Sequence, residues 1–274
     1  TICMHKAHSK AMYVTMRTES DQEVSIPQQF SKYRILSIIA RGSFSIVLKV
    51  LDVQTKKEYA CKAIPNMSLT DFERVQQTSK YIRHPNLVYY EDILKIENVT
   101  LVIMELYQNG ELFYFIKTNS MSTKQKTIQL LFYQVTSAVQ FLHSRNIAHR
   151  DIKPENILLD SQFCAKLCDF NFVTDRNSVS TPCGTTYYSA PEVSSGKRYD
   201  PKRADIWSLG VLLYFMRFKT IPWKSSNLND VLIEIRNSNY EIPPCEKKLA
   251  DVIRACLRIE PCQRPTAHEL LLCE

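Results

Sequence analysis

The chain has 274 residues, of which 45% are hydrophobic and 23% charged, a balance that excludes a wholly disordered protein. Its net charge of +7 is spread along the sequence instead of forming a basic stripe, so we expect no nucleic-acid partner. No run of about eighteen apolar residues occurs, which indicates no membrane span, and the nine cysteines predict reduced thiols of a cytoplasmic protein.

Residues 1–30 are polar and weakly patterned, and we interpret them as an N-terminal extension without a secretory signal. From Tyr33 onward, runs rich in β-branched residues predict five strands, with a short helix at 68–82 after the third. The predicted strands are 33–40, 45–52, 57–64, 87–96 and 99–106. Residues 31–106 are therefore expected to form a small β-rich lobe.

The pattern becomes helical in residues 107–274. Residues 123–146 place apolar side chains on one face, as an amphipathic helix does, and residues 202–217 are apolar nearly all round, as a buried helix is. Further helices are predicted at 228–237, 247–257 and 266–272. The predicted fold class is α+β, with a small five-stranded lobe followed by a larger helical lobe.

The segment HRDIKPENILLD has the residues of a phosphoryl-transfer site. Asp151, Lys153 and Asn156 lie on a loop, because a proline interrupts any helix there. Phosphoryl transfer needs a carboxylate that orients a hydroxyl, a cation beside the moving group, and oxygen ligands for Mg²⁺. Asp169, which follows a short strand-like run, supplies a second such oxygen ligand.

Four strings then carry a resemblance: HRDIKPEN, CDFN, CGTTYYSAPE and DIWSLGVLLY, in this order. With the strands and helices around them, they resemble the eukaryotic protein kinase family over roughly Tyr33 to Leu272. The lysine of D-x-K-P-x-N indicates the serine/threonine form, and the general appearance resembles the calcium/calmodulin-dependent and AMP-activated-kinase-like group. The resemblance implies a bilobal fold (lobes 31–106 and 107–274), ATP and Mg²⁺ as cofactors, and proteins as substrates.

The resemblance also implies a role for each catalytic position. Asp151 corresponds to the catalytic base, Lys153 to the cation near the γ-phosphate, and Lys62 to the strand lysine that contacts the α- and β-phosphates. Asn156 and Asp169 correspond to the two metal-binding positions.

A further set of residues is implied in nucleotide binding. The set is Ala40 and Gly42 in the phosphate loop, Val47, Ala60 and Leu158 around the adenine ring, Met104, Glu105 and Tyr107 at the gatekeeper and hinge, Lys62, and Glu111 near the ribose. Val47, Ala60 and Leu158, each taken singly, also fit plain core positions. Glu111 and Glu155 together imply substrates with basic residues near the acceptor hydroxyl.

The string T-P-C-G-T, which begins at Thr181, matches the spacing around an activation-loop phosphosite. We expect phosphorylated Thr181 to pair with Arg150, which implies an upstream activating kinase. Ser178 and Ser180 are alternative phosphosites in the same stretch.

Three supporting contacts follow from the same resemblance. Thr185 is expected to help hold the catalytic loop, and Asp205 to brace the backbone of that loop from the buried helix. Glu192 and Arg264 are expected to form a buried ion pair.

The chain departs from the family at its glycines. Only five occur, where average usage would give about nineteen. Ala40, Ser45 and Asn171 stand where the family has glycine beside the nucleotide's phosphates. We therefore expect weaker ATP binding, but not its loss.

A second departure concerns the helix that follows Lys62. The family pairs this lysine with a glutamate ten residues before the proline of an H-P-N sequence, and counting back from Pro85 reaches Val75. Glu73 lies two residues away, on a different face of a helix. Either an irregular helix lets Glu73 reach Lys62, or another carboxylate substitutes, or the pair is missing. The alternative to an active enzyme is therefore a pseudokinase that binds ATP or acts as a scaffold.

Overall fold

The computed structural model divides the chain into two compact units. One comprises Thr1–Arg83 and Val88–Tyr107, and the other His84–Leu87 and Gln108–Glu274. The first unit is rich in strands and the second in helices, which confirms the predicted α+β class. The residues that the structure describes are 13–17, 23–42, 45–68, 72–73, 75–76, 82–118, 124–180 and 183–272.

Strands dominate the described part of the first unit. They are β1 (Tyr13–Arg17), β2 (Glu23–Pro27), β3 (Gln29–Phe30), β4 (Tyr33–Arg41), β5 (Ile46–Asp52), β6 (Glu58–Pro65), β7 (Tyr90–Ile96) and β8 (Val99–Glu105). Six of them form one antiparallel sheet in the order β3-β4-β5-β6-β8-β7, and β1 pairs only with β2. The five predicted strands are all present, and the two-residue β3 extends the sheet at the edge beside β4.

The hydrophobic core of this unit lies on one face of the sheet. Leu48 of β5 and Cys61 of β6 are opposite each other and fully buried on that face. The hairpin of β1 and β2 contributes Val14, Met16 and Ile26 to the same core. The sequence predicts residues 1–30 as an extension and does not predict this hairpin, because the apolar alternation lasts only five residues in each strand.

The second unit is mainly helical. Its helices are α1 (Leu112–Thr118), α2 (Gln125–Ser144), α3 (Pro201–Phe218), α4 (Leu228–Arg236), α5 (Lys247–Cys256) and α6 (Ala267–Leu271). The short strands β9 (Ile157–Leu159) and β10 (Ala165–Leu167) pair with each other. The helices α2 to α6 begin and end within two residues of their predicted positions. The sequence did not predict α1, because seven aromatic-rich residues are too short a window for helical periodicity.

The helix α3 forms the centre of the second unit. Its N-cap residue is Asp200, whose side chain accepts the N–H of Lys202, and Pro201 occupies its first position, where the missing N–H costs nothing. A Cβ atom on Gly210 would lie 2.6 Å from Cβ of Cys256, so the close approach of α3 to α5 requires glycine in mid-helix. Within the described residues, no helix combines the length and apolarity needed to cross a membrane.

Candidate active site

The loop from His149 to Asn156 is anchored by the buried carboxylate of Asp205 in α3. Asp205 Oδ2 accepts the backbone N–H of His149 at 2.8 Å, and Oδ1 accepts that of Arg150 at 2.7 Å. The same Oδ2 lies 2.8 Å from Nε2 of His143, near the end of α2. One side chain of the central helix thus holds two successive backbone groups of the loop, as the sequence predicts for Asp205.

Asp151 lies at the centre of a hydrogen-bonded cluster on this loop. Lys153 Nζ lies 2.9 Å from Asp151 Oδ2, and Asn156 Nδ2 donates to the same oxygen at 2.8 Å. The backbone N–H of Thr185 donates to Asp151 Oδ1 at 3.0 Å, and Lys153 Nζ donates to Thr185 Oγ1 at 2.6 Å. The structure therefore brings together the predicted residues Asp151, Lys153 and Asn156.

The surroundings of Asp151 keep its carboxylate ionised. Burial by itself would raise the pKa of Asp151, but the charge and hydrogen bond of Lys153 and the hydrogen bond from Asn156 outweigh it. The pKa of Asp151 is consequently lower than its ordinary value. An ionised, fixed carboxylate of this kind can orient a substrate hydroxyl by accepting its hydrogen bond.

Asn156 is joined through the backbone to the segment that carries Asp169. The N–H of Cys168 donates to the carbonyl oxygen of Asn156 at 2.9 Å, and Asp169 follows with a left-handed φ of 70°. A carboxylate and an amide oxygen are hard donors, which Mg²⁺ prefers, and Mg²⁺ takes its remaining ligands from water and phosphate. In the described ranges, no group of three or more His, Cys, Asp or Glu could hold a metal ion alone. Asn156 and Asp169, as hard oxygen donors, fit a Mg²⁺ ion.

Two further carboxylates, Glu111 and Glu155, lie near Lys153. Burial and the charge of Glu155 raise the pKa of Glu111, and the charge of Lys153 opposes this rise. Oε2 of Glu155 is buried and has no hydrogen-bond partner among the described residues. Glu111 also forms a backbone bridge with Leu158. The two glutamates thus offer unused acceptor capacity to a cation.

In the first unit, one face of the sheet carries most of the residues implied in nucleotide binding. Ala40 pairs with Val47, and Val47 pairs with Lys62, across three neighbouring strands. Ala60 pairs with Met104, and it shares a face with Lys62 because side chains two apart in a strand point the same way. This face is the opposite of the one that carries the hydrophobic core.

The remaining nucleotide-binding candidates of this unit lie at strand ends. The N–H of Gly42 donates to the carbonyl oxygen of Ser45 at 2.8 Å, which closes the turn between β4 and β5. Glu105 is the last residue of β8, and Tyr107 follows it. Glu105 is exposed and Tyr107 is half-buried.

The structure does not pair Glu73 with Lys62. Glu73 is exposed and forms no ion pair with any residue of the described ranges, whereas Val75 is buried. Residues 72–73 and 75–76 are helical, and the rest of the predicted helix between 69 and 81 lies outside the described residues. Of the three alternatives for Lys62, the structure thus removes its pairing with Glu73.

The predicted phosphosite Thr181 lies outside the described residues, so its pairing with Arg150 stays a prediction. Arg150 Nη2 donates to the hydroxyl of Tyr199 at 3.1 Å. The alternative phosphosites Ser178 and Ser180 are exposed.

The sequence did not predict two members of the site, the imidazole of His149 and the side chain of Tyr199. His149 Nε2 lies 2.9 Å from the carbonyl oxygen of Cys168, and the N–H of Asp151 donates to His149 Nδ1 at 3.3 Å. The imidazole thus connects the loop of Asp151 with the segment of Asp169. The contact of His149 with Cys168 joins residues 19 positions apart, and that of Arg150 with Tyr199 joins residues 49 positions apart, so no local spacing could indicate them.

Known proteins are similar to nearly the whole chain. The family model described as protein kinase domain matches residues 33–273. Carbon catabolite-derepressing protein kinase of Candida glabrata is 33% identical over 274 residues, which cover 96% of this chain and 44% of that protein. The protein of the same name from Saccharomyces cerevisiae is 33% identical over 250 residues, which cover 87% of this chain and 39% of that protein.

A plant protein shows a similar relationship. SNF1-related protein kinase catalytic subunit alpha KIN12 of Arabidopsis thaliana is 35% identical over 248 residues, which cover 87% of this chain and 50% of that protein. The chain thus spans half, or less, of the length of these curated relatives. These similarities agree with the resemblance to the AMP-activated-kinase-like group.

Proposed function

We propose that this chain, which belongs to the protein kinase domain family, transfers the γ-phosphate of MgATP to serine or threonine hydroxyls of proteins. The observation that carries the proposal is the cluster in which Asp151 is hydrogen-bonded to Lys153, Asn156 and Thr185. The names of its relatives, which call them protein kinases, support the same activity.

Each member of the cluster has a part in the proposed reaction. Asp151 orients the substrate hydroxyl and takes up its proton as the oxygen bonds to phosphorus. Lys153, held by Thr185, stabilises the negative charge on the group in transit. When bound, MgATP supplies the phosphoryl group, and its bond to the ADP oxygen breaks as the new bond forms. Asn156 and Asp169 would hold the metal ion.

The first unit is proposed to hold the nucleotide on the face of its sheet that carries Val47, Ala60 and Lys62. Lys62 contacts the α- and β-phosphates, and the small Ala60 leaves room for the adenine ring. With Ala40 in place of a glycine, fewer backbone groups can approach the phosphates closely. Binding of ATP is therefore proposed to be weaker than in a glycine-rich relative.

The substrates are proposed to carry a basic residue near the acceptor hydroxyl. Glu111 and Glu155 lie close enough for the charge of one to raise the pKa of the other, and Oε2 of Glu155 is buried without a hydrogen-bond partner in the described part of the chain. An arginine side chain would satisfy this oxygen and relieve the repulsion between the two carboxylates.

Two proposals concern regulation and location. Phosphorylation of Thr181 by an upstream kinase would add negative charge two residues before Cys183, whose thiol lies near Arg150. None of the described cysteines forms a disulfide bond, which supports a reducing, cytoplasmic setting.

A second candidate function is that of a nucleotide-binding scaffold without catalysis. The exposed position of Glu73 favours it, because the family's lysine–glutamate pair is then not made by this residue. The intact cluster around Asp151 favours catalysis, since a scaffold has no need of a positioned base. The two functions differ in phosphoryl transfer, although both include nucleotide binding.

The test is phosphate transfer from radiolabelled ATP, with Mg²⁺, to a peptide that carries arginine near a serine. Asp151→Asn keeps the shape of the side chain and should reduce transfer to background, while the exposed Asp175→Asn serves as the matched control and should transfer as the wild type does. Equal background signals from all three proteins would contradict catalysis. A melting temperature that rises with MgATP in the same samples would then indicate the scaffold.

A further inference from the structure

A cavity of about 380 Å³ lies among α2, α5 and α6 of the second unit, and none of its lining residues belongs to the candidate active site. Its buried wall includes Ile128, Leu213 and Leu270. Its rim includes Leu130 and Tyr133, which are 56% and 43% exposed. Ligand pockets in proteins are of this size and have mainly apolar walls.

The cavity follows α2 for three turns. Apart from Leu130, its residues on this helix recur every three or four positions and so form a single stripe. They are Gln125, Ile128, Gln129, Phe132, Tyr133 and Thr136. At 1.5 Å per residue, the stripe is about 16 Å long. Three of these six side chains are polar, but the cavity as a whole is mainly apolar, because Leu213, Val252 and Leu270 face the helix. An elongated, mainly apolar space of this kind fits a single aliphatic chain.

The mouth of the cavity is positively charged. Lys248 lines it, and the first turns of α2 and α5, which both line it, also contain Lys126 and Lys247. The side chains of the two N-cap residues, Lys124 and Glu246, form no capping hydrogen bond, so both helix starts add partial positive charge. The acidic residue that precedes α5, Glu246, lies 3.6 Å from Arg217. An anionic group is therefore favoured at the mouth.

The buried wall contains one polar atom without a partner. Thr136 is 1% exposed, lines the cavity, and its Oγ1 makes no hydrogen bond to any residue that the structure describes. A buried hydroxyl of this kind is destabilising unless something satisfies it. A second oxygen on a ligand, at the end remote from the anionic group, would do so.

From the elongated, mainly apolar cavity, the charged mouth and the buried hydroxyl, we infer that this cavity binds an amphipathic carboxylic acid with a chain of about twelve carbons. The carboxylate lies at Lys248 and the N-terminal ends of α2 and α5. The chain lies along α2, and an oxygen at its far end meets Thr136. This inference is independent of the proposed kinase activity, because it uses none of the same residues.

The test is calorimetric titration of the full chain with dodecanoate, 12-hydroxydodecanoate and dodecyltrimethylammonium. The hydroxy acid should bind one to one and about fivefold more tightly than dodecanoate, because it gains a hydrogen bond. Each methylene removed from the acid should weaken binding about fourfold. The cationic amphipath should bind at least about tenfold more weakly than dodecanoate. Equal affinity for the cation and the acid, or no binding of either acid, would overturn the inference.

Four variants locate the site. Val252→Trp, which fills the cavity, should abolish binding, and Thr136→Val should reverse the preference so that dodecanoate binds more tightly than its hydroxy form. Lys248→Glu should weaken binding about threefold to tenfold. Lys247→Glu makes the same charge change on an exposed neighbour that does not line the cavity, and it should have less effect. Unchanged binding in a Val252→Trp protein with wild-type melting behaviour would place the ligand elsewhere and refute the assignment.

Discussion

Arg264 and Glu192 form a two-pronged ion pair, in which Nη1 and Nη2 of the arginine donate to Oε1 and Oε2 of the glutamate at 2.6 and 2.8 Å. Arg264 is 2% exposed, and its guanidinium lies 5.0 Å from the centre of the Trp207 ring. Its Nε also donates to the carbonyl oxygen of Arg258 at 2.8 Å. The ion pair predicted from the sequence is thus present and joins two segments that are 72 residues apart.

The replacement Glu192→Ala should lower the free energy of unfolding by about 3–5 kcal/mol, because it leaves a buried guanidinium without its counter-charge. The midpoint of unfolding in urea measures this loss. The exposed ion pair of Lys224 and Glu241 provides the control, and Glu241→Ala should move the midpoint far less. Similar midpoints for the two variants would contradict the assigned importance of burial.

The sequence predicts long elements well and short ones poorly. Helix α3 could be predicted because residues 202–217 are apolar nearly all round, as a buried helix is. The hairpin of β1 and β2 could not, because its two strands of five residues acquire their burial only by packing on a distant sheet. Helix α1 has too few residues for any period to show.

The candidate site likewise contains residues that the sequence predicts and contacts that it does not. Asp151, Lys153 and Asn156 could be predicted because they share one loop, whose motif fixes their separation. The contact of His149 with the carbonyl oxygen of Cys168 depends on how two loops meet, which spacing does not encode. Pairing of Glu73 with Lys62 remained open from the sequence alone, because two residues along a helix change the face that a side chain occupies.

The hairpin of β1 and β2 should be essential for the stability of the first unit. Ile26 is 1% exposed in its core, so Ile26→Ala should cost about 2–5 kcal/mol of unfolding free energy. The neighbouring Ser25 is exposed, and Ser25→Ala should leave stability nearly unchanged. Urea unfolding followed by fluorescence measures both. Equal stabilities would mean that the hairpin does not support the sheet.

Thr185 should act on catalysis through its hydroxyl. Thr185→Val keeps the shape of the side chain but removes the oxygen that accepts from Lys153 at 2.6 Å. Since a hydrogen bond to a charged group contributes about 1.5–3 kcal/mol, kcat should fall about tenfold or more. Thr185→Ser restores the hydroxyl and should recover most of the rate. Steady-state kinetics at saturating ATP and peptide would reveal a structural role instead if the serine and valine variants were equally slow.

Gly184 should tolerate no side chain. Its φ is +86°, and a Cβ atom there would lie 2.5 Å from the carbonyl oxygen of Arg150, next to Asp151, the proposed catalytic base. Gly184→Ala should therefore displace the loop and remove most of the phosphate transfer. Gly196→Ala is the matched control, since φ is +70° there but nothing lies within 4 Å of the added carbon. In that variant, the left-handed backbone conformation of the alanine should lower the free energy of unfolding by about 1–2 kcal/mol. Its kcat should be preserved.

Binding of a basic substrate should depend on pH through Glu111. Burial, and then the charge of Glu155, raise the pKa of this carboxyl above its ordinary value, although Lys153 opposes them. A cationic peptide prefers ionised Glu111, so its binding is strongest above this raised pKa and is lost as the pH falls through it. The KM of an arginine-containing peptide should therefore begin to rise at a higher pH than an ordinary glutamate would give. Titration of KM over a pH series measures the effect, and a peptide with alanine in place of arginine should show no such rise.

The variant Glu155→Gln assigns the effect to the pair of glutamates. Removal of the second charge abolishes the repulsion that raises the pKa of Glu111, while the burial of Glu111 remains. The rise in KM should consequently move to lower pH in the variant, although its KM at neutral pH should increase because one acceptor of the arginine has lost its charge. Relative to the wild type, the KM of the variant should thus change in opposite directions at low and at neutral pH. A general loss of structure would not produce this pattern. Superimposable pH profiles of the wild type and the variant would show that Glu155 does not act on Glu111.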